Sequence, residues 1–251
     1  MEPERHLDWP GCFNVRDLGG LPATGGRRTV WGAVVRADTL SGLTSEGWQA
    51  LLDHGVRTVV DLRNEEERGQ DAAPRPPEIE TVHVPLDGRT DRSFWEPIEE
   101  RLEFGTPLYY RAHLLRKPQL SAAAVAAIAR ARSGGVAFHC VGGRDRSGQL
   151  AMVLLSLVGV PAAEIGADYE LSHERLAVLF AQLGQEDQGA ELVAYLADRG
   201  TTGAGAIEAT LSSIDLEATL KGGGLTDEDL AALRERMLTS SSEVEPAEPL
   251  P

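Results

Sequence analysis

A cysteine followed six positions later by an arginine, with two glycines between them, puts a nucleophile and an anion clamp at the two ends of one short loop. The chain carries that pattern in Phe138-His139-Cys140-Val141-Gly142-Gly143-Arg144-Asp145-Arg146-Ser147-Gly148. The segment lies between a β-rich apolar run and a leucine-rich one, so it should join a strand to a helix. In such a loop the N–H groups of Val141, Gly142, Gly143, Arg144, Asp145 and Arg146 can fold inward as an anion nest, with the positive end of the next helix aimed at the same spot. A loop of this kind binds phosphate, and its field favours a thiolate at Cys140, the residue best placed to attack phosphorus. Arg146 supplies a planar fork that matches two phosphate oxygens, a geometry lysine lacks. Ser147 can donate to the sulfur and help it leave, and His139 is expected to steady the loop from behind.

Each residue also has a plainer interpretation. A lone cysteine after a strand is usually a small buried hydrophobe, and a lone arginine usually a surface charge. Only the complete loop favours chemistry. Two rivals use similar parts: a sulfurtransferase, whose cysteine loop does not require Arg-Ser at the helix start, and a binding module that keeps the pocket without turnover. Arg146-Ser147 at the helix start weighs against the first, and the presence of both Cys140 and Arg146 argues against the second.

Composition narrows the field further. With 42% hydrophobic and 25% charged residues, the 251-residue chain can bury a single core. No apolar run approaches the roughly 20 residues that cross a bilayer, so no integral membrane segment is expected. A net charge of −15 opposes binding to nucleic acid or an anionic membrane, and any anionic substrate must be captured by a local basic pocket. The N-terminus lacks the layout of a secretory signal; a cytoplasmic location is expected, with export by an unconventional route left open. Cys12 and Cys140 are the two cysteines, too few for a disulfide framework or a cysteine-based zinc site. No metal and no cofactor is expected. Cys12 reads as a buried thiol, with protection of Cys140 through a disulfide as the sharper alternative.

The elements that must position the loop follow from local pattern. Residues 30–36, 56–62, 81–86 and 136–138 are β-branched runs that read as strands. Residues 44–54 and 120–132 read as helices stopped by glycine, and 147–158 as a helix apolar on nearly every side and therefore central. From Pro161 on the pattern is helical, interrupted at 184–189 and 200–205 by glycines, so that part of it could serve as a mobile cover. It closes with Thr226-Asp227-Glu228-Asp229 as an N-terminal cap. The expected architecture is an α/β sandwich with a helical C-terminal half. Residues 1–10 read as a loose lead-in, 11–238 as one catalytic domain and 239–251 as a disordered tail.

Four ordered motifs give the chain a family resemblance. The loop resembles the Cys-x5-Arg signature of protein tyrosine phosphatases. Asn14-Val15-Arg16-Asp17-Leu18-Gly19-Gly20, Asp61-Leu62-Arg63-Asn64-Glu65-Glu66-Glu67-Arg68 and Ala167-Asp168-Tyr169 are similar to motifs of its bacterial tyrosine and dual-specificity branch, the mycobacterial phosphatase B type. The likeness runs from about Gly11 to Met237. It departs from the branch at Arg144 and Ser147, which stand where lysine and threonine are usual. The resemblance implies a tyrosine phosphatase-like fold, and phosphoprotein or phosphoinositide substrates hydrolysed through a phosphocysteine. It also implies Asp145 as general acid, with Asp87 in Pro85-Leu86-Asp87-Gly88 as the alternative and Asp91 as a weaker third. Asn14, Arg16 and Asp17 should form a hydrogen-bonded corner, with substrate contact by Arg16 the less favoured role, and Asp61 and Arg63 should be structural.

Overall fold

The structure is a computed structural model that describes residues 4–184 and 186–239. The first strand, β1 (Arg16–Asp17), is followed by β2 (Val34–Ala37), α1 (Ser45–Asp53), β3 (Val56–Asp61) and β4 (Glu80–His83). Next come α2 (Arg92–Glu100), α3 (Tyr110–Arg116), α4 (Pro118–Ala129), β5 (Gly135–His139) and α5 (Asp145–Leu157). The remainder is helical as expected: α6 (Ala162–Glu170), α7 (Ser172–Leu183), α8 (Gly189–Ala197), α9 (Gly203–Ser213), α10 (Leu216–Gly222) and α11 (Asp227–Met237). None of the described helices is long and apolar enough to cross a membrane.

The described strands form one sheet in the order β1-β2-β5-β3-β4, with β1 antiparallel to β2 and the other pairs parallel. Successive side chains alternate faces, and both faces are covered. Val34, Val60, Val136 and Phe138 enter a core shared with α4, α5 and the C-terminal helices. Val35, Ala37, Val56, Val59 and Ala137 enter a second core closed by Trp48 of α1 and by Trp9, Cys12 and Val15. Burial on both sides explains why these strands read as unbroken apolar runs.

Element ends depart from the expected ones for local reasons. The run at 30–36 pairs only from Val34 because Gly32, at φ 73°, turns the chain there. The run at 81–86 ends as a strand at His83, shortly before Pro85, which has no N–H to give a ladder. The cap at Thr226 and Asp229 closes as a reciprocal box. Ahead of residue 11, Leu7 donates to Val15 and Asp17 donates back to Arg5, so this stretch lies along the domain. Of the 239–251 segment only Thr239 lies among the described residues, and its N–H meets the Arg28 carbonyl.

The parallel strands β2, β5, β3 and β4 all end at the same edge of the sheet. Their following segments therefore bring Cys140, Glu67 and Asp87 together outside the carboxyl ends, with Asp38 turned away toward Cys12 and Asn14; that edge is the usual place for a site in such sheets.

Two histidines are sealed into this frame. His113 of α3 and His139 of β5 are 1% and 0% exposed, and burial pushes each pKa down to about 4. The unfolded chain, near 6.5, takes up protons that the folded chain refuses, so their contribution to stability is present above pH 6.5 and is lost as pH falls toward 4. Asp38 and Asp87, raised by burial, act in the opposite sense. We expect His113→Gln to flatten the dependence of urea-unfolding free energy on pH, removing about 2 kcal/mol of the change between about pH 6.5 and 5. An unaltered slope would show that His113 is protonated in the folded chain.

Candidate active site

The loop between β5 and α5 is held almost entirely by its carbonyls. His139 Nδ1 donates to the Cys140 carbonyl at 3.1 Å and the Thr39 N–H to that of Val141 at 2.9 Å. Asn14 Nδ2 reaches the Gly142 carbonyl at 2.9 Å, and Arg36 Nη2 reaches those of Gly143 at 2.8 Å and Arg144 at 3.4 Å. Gly148 N–H also serves Arg144, at 2.7 Å, and the Tyr110 hydroxyl serves Asp145, at 2.7 Å. In a trans peptide the next N–H points opposite to the carbonyl. Six carbonyls drawn outward therefore turn the N–H groups of residues 141–146 toward the cleft, the orientation an anion nest requires. Gly143 is required here: its φ is 69°, and a Cβ would stand 2.7 Å from the Asp38 nitrogen. Its N–H lies 3.2 Å from Cys140 Sγ.

Cys140 is 3% exposed, with the Ser147 hydroxyl 3.3 Å from its sulfur and 3.3 Å from the Ala37 carbonyl. One hydroxyl proton can serve either acceptor. Arg146 on the first turn of α5 turns its fork to Glu67, Nη2 to Oε1 at 2.8 Å and Nη1 to Oε2, while Nη1 lies 3.4 Å from Asp87 Oδ2. Glu67 is itself fixed, its Oε2 accepting the Asn64 N–H at 2.8 Å. Burial would raise the Glu67 pKa, but the hydrogen bond and charge of Arg146 outweigh it and hold the carboxyl below its usual value.

The three acid candidates separate. Asp145 lies at the cleft wall, its side chain 21% exposed, with Arg144 Nε 3.3 Å away. Asp87 is 3% exposed and accepts from Asn64 Nδ2 at 3.0 Å; burial pushes its pKa up against the pull of Arg146. The turn that carries it is pinned, since the Asp87 carbonyl takes Trp95 Nε1 at 3.2 Å and Lys117 Nζ at 3.3 Å, and Lys117 also donates to Gly88 at 2.6 Å. Asp91 pairs with Arg116 at 3.3 Å and does not line the cleft.

The cleft measures about 270 Å³. Glu67, Asp87, Cys140, Arg144, Asp145 and Arg146 form its charged part, and Phe104, Tyr109, Val141 and three α7 residues, Leu176, Leu179 and Phe180, its apolar walls. An anion on a flat apolar group fits that division. A larger hollow of about 590 Å³ at the opposite end of the strands, beside Trp31, His54 and Arg236, contains none of the expected residues.

Other expected residues fall behind the site. Arg16 is fully buried, donating to Asp168 at 3.0 Å and to Asn14 at 2.8 Å, so it cannot touch a substrate. Asp17 accepts the N–H groups of Gly19 and Gly32 and faces His54. Asp61 grips Arg63 at 2.8 Å; burial opposes its ionisation, but the Arg63 hydrogen bonds hold its pKa at about 2. Cys12 is buried in the second core with its sulfur 2.6 Å from Asp38, while Cys140 belongs to the first, so the buried-thiol interpretation describes it. Glu67 and Arg36 were missed. Each had a signal: the Asn64-x-x-Glu67 spacing of a capping box, and a charge inside the apolar run of β2. Among the described residues no group of three or more His, Cys, Asp or Glu side chains is placed to hold a metal ion.

Over residues 7–239 the chain matches the sequence profile of the tyrosine phosphatase family. It is 33% identical over 181 residues to a Cupriavidus necator protein named as a tyrosine-protein phosphatase, a match that covers 69% of this chain and 65% of that one. It is 32% identical over 142 residues to a tyrosine-protein phosphatase of Nostoc commune, covering 56% and 48% respectively. The chain thus spans less than two thirds of each relative.

The fork of Arg146 and its charge can be separated experimentally. Arg146→Lys keeps the charge but cannot present two parallel donors, so tungstate affinity measured by calorimetry should fall about tenfold or more. Unchanged affinity would mean that the fork does not face the anion.

Proposed function

We propose for this chain, which belongs to the tyrosine phosphatase family, the hydrolysis of phosphate monoesters through a phosphocysteine, with phosphotyrosine in proteins as the first substrate class. The observation that carries this proposal is the ring of captured carbonyls, which aims a set of N–H donors at one point beside Cys140. Donors fixed in advance for equatorial phosphoryl oxygens cost no reorganisation as the transition state forms.

In the first step the Cys140 thiolate attacks phosphorus in line, and the bond from phosphorus to the ester oxygen breaks. The loop N–H groups of residues 141–146 and the Arg146 fork hold the three equatorial oxygens. The leaving oxygen departs on the side opposite the sulfur, toward the open mouth of the cleft, and takes a proton from a carboxyl group there. Asp145, the more exposed of the two acid candidates that line the cleft, is assigned as this acid. In the second step water attacks phosphorus and gives its proton to the same carboxylate, and sulfur leaves as thiolate with the Ser147 hydroxyl as its donor. His139 acts on the loop and not on substrate, since burial keeps it neutral and its Nδ1 serves the Cys140 carbonyl.

One observation favours a second acid. The raised pKa of Asp87 suits a group that must keep its proton near neutrality. The aromatic lining from Phe104, Tyr109 and Phe180 suits an aryl ester, and Arg144 at the wall suits a further anionic group. Parallel assays on phosphotyrosine peptides, phosphoserine/threonine peptides and phosphoinositides rank these substrates.

Two measurements test the mechanism. Cys140→Ser should abolish hydrolysis of p-nitrophenyl phosphate and retain tungstate binding, because the amides and Arg146 remain while the hydroxyl is a poor nucleophile; turnover within a few-fold of the unmodified chain sinks the thiolate route. Asp145→Asn should lower kcat by about 10²-fold or more for alkyl phosphates with poor leaving groups and much less for p-nitrophenyl phosphate. If Asp87→Asn shows that leaving-group dependence and Asp145→Asn does not, the acid is Asp87.

A further inference from the structure

We propose that Asp168 is a positioning residue for the anion loop, acting through Arg36 and through the Arg16–Asn14 pair. Its purpose rests on the phosphate chemistry assigned to Cys140 and Arg146, while its geometry does not. Asp168, on α6, is 1% exposed and is met by three guanidinium groups: Arg16 Nε at 3.0 Å, Arg36 Nη1 at 2.5 Å, and Arg5 Nη2 from the N-terminal stretch. Arg16 Nη2 also binds the Asp168 carbonyl at 2.6 Å.

Arg16 also donates to Ser172 and Arg5 to the Asp17 carbonyl, while other donors of Arg36 and Arg16 lead to the loop. Arg36 Nη2 reaches the carbonyls of Gly143 and Arg144. Arg16 Nη1 holds Asn14 Oδ1 at 2.8 Å, which leaves Asn14 Nδ2 to hold the Gly142 carbonyl at 2.9 Å. Three successive peptide planes of the nest are thereby oriented from one carboxylate. Asn14, Arg16, Arg36 and Asp168 are each no more than 1% exposed, so none can touch a substrate. An ion cluster that served stability alone would have no reason to end on the carbonyls of the loop, since buried pairs are often replaceable by apolar packing. Burial favours a neutral Asp168, but Arg16, Arg36 and Arg5 outweigh it and hold its pKa far below the carboxylate range. The device is therefore charged throughout the working pH range and should scale activity without changing the shape of the pH profile.

The test uses the full chain and the variants Arg36→Lys, Asn14→Ala and Asp168→Asn. Asp229→Asn serves as control, a carboxylate 3% exposed and paired with Arg130 at 2.6 Å. Thermal melting, tungstate affinity by calorimetry, and kcat and KM on p-nitrophenyl phosphate are measured for each. Lysine at 36 can still face Asp168 but cannot span two carbonyls as well. Arg36→Lys should fold, bind tungstate about tenfold more weakly and lose more in kcat than in KM, with Asn14→Ala losing about threefold in tungstate affinity. Asp168→Asn should show at least the Arg36→Lys loss where it folds, and Asp229→Asn should lower the melting temperature and leave tungstate affinity unchanged. Folded Arg36→Lys and Asn14→Ala that both bind tungstate within twofold of the unmodified chain would overturn the proposal, whether or not Asp168→Asn folds. An unmodified chain that binds tungstate but hydrolyses no ester would refute the phosphatase assignment alone, and the binding measurements would still decide this one.

Discussion

A peptide group cannot offer its N–H to a ligand without turning its carbonyl the other way, and much of this structure answers that constraint. Six successive carbonyls, from Cys140 to Asp145, need partners outside the cleft. An orphaned buried carbonyl costs about 1–3 kcal/mol, so six of them would consume a stability that is typically about 5–15 kcal/mol. The donors come from β5, from the segment after β2, from the stretch around Asn14, from β2 itself and from α3. Elements distant in sequence are thus committed to one loop. A loop held this way has little freedom to relax, as a preorganised anion site would require.

Some of that support is ordinary backbone and some is not. Thr39 and Gly148 contribute N–H groups that any residue would provide. Arg36 and Asn14 contribute side chains, and Arg36 sits inside a central strand where an apolar residue would pack more simply. Its burial is tolerable because Asp168 balances the charge and the loop carbonyls take its Nη2. The same logic governs Gly143, where the approach of the loop to Asp38 leaves no room for a Cβ.

These supports explain why the sequence was legible in part. The loop motif is contiguous, so Cys140, Arg146, Ser147 and the glycines could be read directly. The strands β2, β3 and β5 announced themselves as apolar runs because both faces of the sheet are buried. The two residues of β1 carry no periodicity, and α2, though amphipathic, contains Pro97, which reads as a helix breaker. The partners of the loop lie far away in sequence: Glu67 is 79 residues from Arg146, and Arg36 is 107 from Gly143. Local pattern has no access to such pairings. A resemblance can mark Asn14, Arg16 and Asp168 as belonging together, but their connection to the Gly142 and Gly143 carbonyls emerges only from the folded chain.

Charge balance completes the argument about how an acidic protein can hold a phosphate dianion. In the cleft two guanidinium groups, Arg144 and Arg146, face three carboxyls, Glu67, Asp87 and Asp145. Fully ionised, that set carries one net negative charge before the thiolate is counted, which would repel the dianion. Two features reverse the sign. Behind the loop, Arg5, Arg16 and Arg36 surround the single Asp168 carboxylate and leave a largely buried positive excess, which adds to the field of the loop amides and of the start of α5. Within the cleft, burial pushes the Asp87 carboxyl up, which lessens the negative charge it sets against an anion, so anion binding and proton uptake there favour one another. On the proposed function, the attraction that must overcome a net charge of −15 is therefore local and largely buried, where salt screens it least.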